Sequence, residues 1–240
     1  MSDPEEHAGG GMDDLFSPLG LSGRTLTRSD LAPLTGGAPH VVTDCDLEEA
    51  DLSGLDLTGW RFERCNLRKT DCSDTKLEGS VWQSCRAPFV SFVGANLSEA
   101  TFSGGDFNNS VWRRATLTST KFVGTKLTGA DFSEARAMHI HFEEVLLVSA
   151  KLPGFSFRKG TLRRVDLSGA DVRKVDFRMT VFEDCSLREA MVAGSRFEGS
   201  DLRGADLGGL RLVDANLFRG ATISREQAGQ LLGELGLSVR

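Results

Sequence analysis

Tyrosine is missing from the 240 residues altogether, while proline occurs six times and tryptophan three times. No run of 18 apolar residues exists, which excludes a membrane-spanning helix. The first 15 residues, MSDPEEHAGGGMDDL, are acidic where a secretory leader would be basic and then apolar, so the expected location is the cytoplasm. The five cysteines are too few for a small disulfide scaffold, and a reducing cytoplasm disfavours pairing them. No glycine-rich phosphate loop opens a helix, no nucleophile elbow is present, and no long loop interrupts the chain to build a pocket. The expectation is therefore a protein that is not an enzyme and needs no cofactor and no metal.

What is abundant is glycine, 27 residues of it, and charge, at 26% of the chain. The net charge of -6 hides a division: residues 1–44 and 45–110 each sum to -5, residues 111–180 to +6, and residues 181–240 to -2. Such segregation bears on partners rather than on fold.

An internal repeat of five residues decides the architecture. Stepping by five from Leu47 through Leu52, Leu57, Phe62, Leu67, Cys72, Leu77 and Trp82 to Leu217 gives 35 consecutive positions, all apolar. Two residues before most centres stands a small residue, as at Ala50, Ala95, Ala130 and Ala205, and the residue between is often Asp or Asn. Glycine recurs two residues after the centre, as at Gly54, Gly59, Gly79, Gly94 and Gly204. A period of five fits neither the helix nor the flat strand, so the backbone must turn after every fifth residue. Four such sides close one coil. Stacked coils at the ordinary strand spacing of about 4.8 Å pair every backbone with its neighbours and give a rod about 42 Å long.

The units Ala50-Asp51-Leu52-Ser53-Gly54, Ala95-Asn96-Leu97-Ser98-Glu99, Ala130-Asp131-Phe132-Ser133-Glu134 and Ala205-Asp206-Leu207-Gly208-Gly209 resemble the A(D/N)LXX repeat of the pentapeptide-repeat proteins, over residues 45–219. That resemblance implies an all-β solenoid, a right-handed quadrilateral β-helix of pentapeptide repeats, here with a short C-terminal α-helix. The expected organisation is an acidic, disordered tail at 1–18, an irregular cap at 19–44, the β-helix at 45–223 and a capping or dimerisation helix at 224–240.

Positions four repeats apart stack in columns. Phe62, Trp82, Phe102, Phe122, Phe142, Leu162, Phe182 and Leu202 form one ladder that should hold most of the aromatic content. Leu57, Leu77, Leu97, Leu117, Ala137, Phe157, Phe177, Phe197 and Leu217 form another. Repeat architectures bury such stacks of like residues as core. Leu55, Trp60, Phe155 and Leu210 occupy the slot reserved for small residues, and Trp60 is expected to swell its coil. Near Ala87 and Pro88 the outward Phe89 marks either an adhesive patch or local repacking.

The ends need caps, because a β-helix otherwise exposes unpaired backbone. The phase slips by one residue at Ile223, after which Ser224-Arg225-Glu226-Gln227 reads as a capping box. Leu231, Leu232 and Leu235 make one apolar face and Gly236 a stop. The helix covers its own last coil or, through a two-fold contact, that of a twin molecule. The resemblance favours the homodimer, since some members of the family join end to end through such a module.

Cys45, Cys65, Cys85 and Cys185 share one column of the small slot and are expected to be buried, structural thiols. His139 and His141, with Glu143 and Glu144 beside them, are expected at a surface corner. The recurring outward Asp and Asn residues suit turns. The resemblance adds a functional meaning, because the Qnr and MfpA groups are DNA-like rods that bind DNA gyrase or topoisomerase IV and relieve its poisons. On that reading the partner is a type II topoisomerase, and the contact falls on the acidic last coils at Glu183, Asp184, Glu189, Glu198, Asp201, Asp206 and Asp214. A band of Arg158, Lys159, Arg163, Arg164, Arg173, Lys174 and Arg178 runs against a simple DNA mimic and offers itself to phosphate or to an acidic protein. Sequence-specific nucleic-acid binding is not expected, since exposed aromatics do not interleave with these cations. The alternative function is a general protein-interaction scaffold.

Overall fold

A computed structural model describes residues 20–210, 215–234 and 236–238. The chain winds as a parallel solenoid of about nine turns. One of its four faces is a nine-stranded sheet of short strands: β1 (Gly20–Ser22), β2 (Val41–Thr43), β3 (Arg61–Glu63), β4 (Val81–Gln83), β5 (Thr101–Ser103), β6 (Lys121–Val123), β7 (His141–Glu143), β8 (Thr161–Arg163) and β9 (Val181–Glu183). From β2 onwards each strand pairs with the one four repeats further along, in constant register, such as Phe62 opposite Trp82. On the other faces the ladder is carried by single bridges such as Asp51 with Asp71 and Asp56 with Lys76. The short pair β10 (Cys185–Ser186) and β11 (Ala205–Asp206) continues one of them.

The five-residue period works through the corner two residues after each centre, which takes the left-handed conformation. Gly59 is there at φ 72°, but so are Lys69 and Phe89, because the hydrogen bonds between coils hold any residue in place. Gly204 is a different case. Its φ is ordinary, and a Cβ there would lie 2.4 Å from the carbonyl oxygen of Phe182, so it is glycine for closeness and not for conformation.

The aromatic content does not lie in a single ladder, as the sequence suggested, but in three. Phe62, Trp82, Phe102, Phe122 and Phe142 stack at centroid distances of 4.2, 5.6, 4.8 and 5.2 Å. On the opposite face Phe92, Trp112 and Phe132 stack at 4.4 and 5.4 Å, and the two ladders meet edge to face across the interior. Beyond residue 150 the second ladder passes to an adjacent face, as Phe157, Phe177 and Phe197 at 5.6 and 4.9 Å. Phe218, not Leu217, closes that stack, 4.6 Å from Phe197. The phase slip that moves Phe218 into place is visible as a bridge between Asp201 and Thr222, one residue longer than in the regular coils.

Both ends are closed. At the amino end β1 already pairs with β2, Leu21 opposite Val42, a step one residue longer than the regular coil. The chain between them holds α1 (Arg28–Leu31) and a 3₁₀ turn over Ala32–Leu34. At the other end α2 (Arg225–Glu234) starts with the expected capping box, in which the Ser224 N–H donates to Gln227 Oε1 at 2.7 Å and the Gln227 N–H donates to Ser224 Oγ at 3.1 Å. Gln227 also reaches into the rod, its Nε2 donating to the carbonyls of Leu202 (2.7 Å) and Ala205 (2.6 Å), which have no further coil to bond to.

The swelling expected at Trp60 is not there. Trp60 lies against His40, which fills the same slot one coil earlier, with ring centroids 4.8 Å apart. The backbone bonds on either side, Arg61 N to His40 O and Val81 N to Trp60 O, are intact at 3.0 and 2.9 Å.

Candidate functional site

Three kinds of side chain decorate this backbone, and each follows from its slot. The small inward slot carries a donor as well as a size limit. Thr70, Thr75, Thr120 and Thr180 donate through their hydroxyls to the carbonyls of Leu47, Leu52, Leu97 and Phe157 on the preceding coil. Cys65, Cys85 and Cys185 do the same through sulfur at 3.3 Å, to Val42, Phe62 and Leu162. This explains why serine, threonine and cysteine share the slot with alanine. All five cysteines are free and buried, and burial pushes the thiols of Cys72 and Cys185 up, as the Cys65 contact does that of Cys85.

The outward Asp and Asn residues make turns. Asp51, Asp71, Asp131 and Asp166 each accept the N–H two residues on, at 2.9–3.0 Å. Among the described residues no group of three or more His, Cys, Asp and Glu side chains is arranged to hold a metal, and no helix is long and apolar enough to cross a membrane.

Of the predicted acidic contact residues, the fold neutralises most. Glu183 is bonded to Arg163 (2.7 Å), Asp201 to Arg203 (2.6 Å) and Asp206 to Arg188 (2.9 Å), and Glu198 lies 3.5 Å from Arg196. The hydrogen bond from Arg203 holds the Asp201 carboxyl below its ordinary range. Among the described residues Asp184 and Glu189 stand without an ion pair, on two different faces, and Asp214 lies outside the described residues. The predicted basic band is divided in the same way. Arg163 bridges Glu143 and Glu183, Arg164 holds Glu144, Arg173 holds Asp171 and Arg178 holds Asp176. Arg158, Lys159 and Lys174 form no ion pair among the described residues, and the seven cations are spread over three faces.

At the carboxyl end Leu231 is buried against the last coil, whereas Leu232 is 40% and Leu237 57% exposed. Leu235 lies outside the described residues. Phe89 is half exposed, and its coil keeps its hydrogen bonds, with Phe89 N donating to Asn108 O at 2.9 Å.

One feature was not foreseen. Between the coil of Ala137 and the coil of Phe157 the ladder opens. Strands β7 and β8 pair only at Glu143 and Arg163, whereas β6 with β7 and β8 with β9 pair along their whole length. One coil earlier Leu117 N, Ser119 N and Arg136 N bond across at 2.8–2.9 Å, and one coil later Phe157 N, Lys159 N and Val181 N do so at 2.9–3.0 Å. The equivalent bonds of Ala137, His139, Ser156 and Thr161 are missing. Ala137 is a central residue too small for its column and is partly exposed, while in the next coil Phe155 fills a small-residue slot and lies under Phe132 at 6.0 Å. Too little volume above and too much below part the two backbones. The resulting cleft, about 290 Å³, is lined by His139, His141, Ser156, Arg158 and Thr161 over a floor that includes Phe157 and Leu162.

Comparison with known families follows these coils. The pentapeptide repeat region matches residues 55–132, and pentapeptide repeats (8 copies) match residues 140–178 and 180–217. The chain is a pentapeptide-repeat protein. The stretch between the first two matches, 133–139, is where the ladder opens. No curated protein matches this pentapeptide-repeat protein in sequence. Among solved structures it is similar to HetL, a pentapeptide-repeat protein involved in heterocyst differentiation regulation in the cyanobacterium Nostoc, with a TM-score of 0.64, 20% identity, and 80% of this chain and 88% of that one covered. It is also similar to trypsin-treated QnrB1, a plasmid-mediated fluoroquinolone resistance protein, with a TM-score of 0.57, 20% identity, and 93% and 98% covered. At 20% identity these likenesses show the fold.

Proposed function

We propose that this rod acts by binding a protein partner and not by catalysis, and that the partner is a type II topoisomerase, DNA gyrase or topoisomerase IV, which the rod shields from a poison in the cytoplasm. The observation that carries this reading is coextension: the solenoid aligns with 98% of QnrB1, a fluoroquinolone resistance protein, and uses 93% of its own length to do so. The chain has no long insertion between coils 2 and 8, so protection would depend on the faces of the rod and not on a projecting loop. The outer face of the carboxyl end, with Leu232 on α2 and Leu237 beyond it exposed, would join two rods end to end and present a longer saddle.

A second reading, a scaffold for another protein, is favoured by the neutralisation of Glu183, Asp201 and Asp206 by the rod's own arginines. A gyrase supercoiling assay separates the two. With a fluoroquinolone, and separately with a peptide poison, rescue of supercoiling by protein concentrations that leave gyrase itself uninhibited is the expected result. No rescue and no inhibition from nanomolar to tens of micromolar protein would leave the scaffold. For the end-to-end contact, Leu232→Glu is expected to keep the melt of the rod and to halve the mass measured by light scattering. A wild-type protein already monomeric would remove the dimer from the proposal.

A further inference from the structure

The cleft between the coils of Ala137 and Phe157 brings together groups with one preference in common. Arg158 lines it, and its guanidinium makes neither an ion pair nor a side-chain hydrogen bond among the described residues, in a protein where most arginines of the neighbouring coils are held by a carboxylate. Lys159, next to it in sequence, is equally unclaimed. His139 and His141 stand on the facing coil, and the hydroxyls of Ser156 and Thr161 make no bond to any described residue. The N–H groups of His139 and Thr161 are donors that the repeat would normally use between coils and here does not. Glu143, the carboxylate beside His141 at 3.5 Å from its Nε2, is claimed by Arg163 and Arg164 at 3.4 and 3.7 Å. The same missing bonds release the carbonyls of Arg158 and Ile140, so the opening offers acceptors as well as donors, and what distinguishes it is the unpaired positive charge of Arg158.

We propose that this cleft is a binding site for an oxyanion, a phosphate or carboxylate group, held by Arg158 and the two histidines and received by the backbone N–H groups that the opened ladder releases. A guanidinium and converging N–H donors are the pairing that oxyanions take up elsewhere in proteins. The volume, about 290 Å³, accommodates such a group with a small body attached. The site exists because of a packing fault: a chain with a full-sized residue at position 137 would close the ladder and lose it.

That origin supplies the test. Inorganic phosphate and, separately, acetate are titrated into the whole protein by calorimetry and by NMR of the histidine ring protons. Saturable binding of at least one is expected, weakened tenfold or more in Arg158→Gln, with shifts confined to His139 and His141 among the four histidines. Ala137→Leu, which removes no charge, is expected to abolish the binding while raising the melting temperature. Arg203→Gln, on a distant and ion-paired arginine, should bind as the wild type does. The tighter of the two anions names the class of ligand. Binding that survives both Arg158→Gln and Ala137→Leu would reveal a diffuse surface effect, and no binding of either anion at 20 mM would equally overturn the proposal.

Discussion

Between Phe62 and Phe142 two aromatic ladders face each other across the rod and touch edge to face, whereas from Phe157 onwards one of them has moved to an adjacent side. In the first region the aromatic centres fill their columns and the coils lie in register. At the junction a single undersized centre, Ala137, coincides with an oversized neighbour, Phe155, and the hydrogen bonds of Ala137, His139, Ser156 and Thr161 between the coils are absent. The repeat tolerates a residue that is wrong in one place, as Trp60 shows at the amino end, where His40 packs against it at a tilt. It does not tolerate two opposite errors on successive coils. In a molecule where each coil touches only its neighbours, such a fault stays local: the ladder is regular again one coil away in either direction.

Several substitutions put this contrast at risk. The largest effect belongs to Phe122→Asp, which places a carboxylate between Phe102 and Phe142. A loss above about 5 kcal/mol is expected, enough to remove the cooperative melt. An unchanged melt would mean that the columns are misassigned. Phe102→Ala, in the doubly packed region, should cost about 4 kcal/mol, and Phe157→Ala, beside the opening, about 3 kcal/mol, since its surroundings are already loosened. Equal losses in denaturant titrations would show that the two regions are packed alike. Ala137→Leu should stabilise by about 1 kcal/mol by filling the void. In the wild type the amides of His139 and Thr161 should exchange with solvent faster than those of Ser119 and Val181, and Ala137→Leu should level them.

The smallest effect concerns acid. Asp171 and Asp176 are held below the ordinary carboxylate range by hydrogen bonds from Arg173 and Arg178. A carboxyl that is harder to protonate in the folded state contributes stability in full above its unfolded value, about pH 4, and gives it up as the pH falls through the lower folded one. The double variant Asp171→Asn, Asp176→Asn should therefore lose some stability at pH 7 and show a shallower decline below about pH 4. A decline as steep as that of the wild type would place the acid sensitivity in other carboxylates.

The architecture was legible in the sequence because a period of five has one economical solution, and the capping box at Ser224 was legible for equally local reasons, but the slip falls before Leu217 and not at Ile223, since Phe197 N already bonds to Leu217 O and Phe218 takes the place in the stack. The second aromatic ladder, Phe92, Trp112 and Phe132, was just as readable in steps of four repeats but was not assembled. The pairing of β1 was hidden by the α1 insertion, which sets Leu21 opposite Val42 and so breaks the phase of the regular coils by one residue. Charge was the least legible property. Formal sums gave a basic band and acidic ends, yet whether an arginine is free depends on which carboxylate stands two residues or one coil away, as Arg173 and Arg158 illustrate. The cleft had signals in the sequence, an alanine among leucines and phenylalanines at 137 and a phenylalanine among alanines at 155. Only the coil geometry makes them adjacent.

The cysteines give the rod a reporter of its own unravelling. Cys45, Cys65, Cys72 and Cys85 lie in the first coils and Cys185 near the last, all sealed from solvent and without a disulfide. A thiol reagent added to the intact protein has nothing to modify, so each modification event records that a particular end has come apart. Mass spectrometry of the labelled peptides can thus tell whether the rod frays from its amino end or from its carboxyl end.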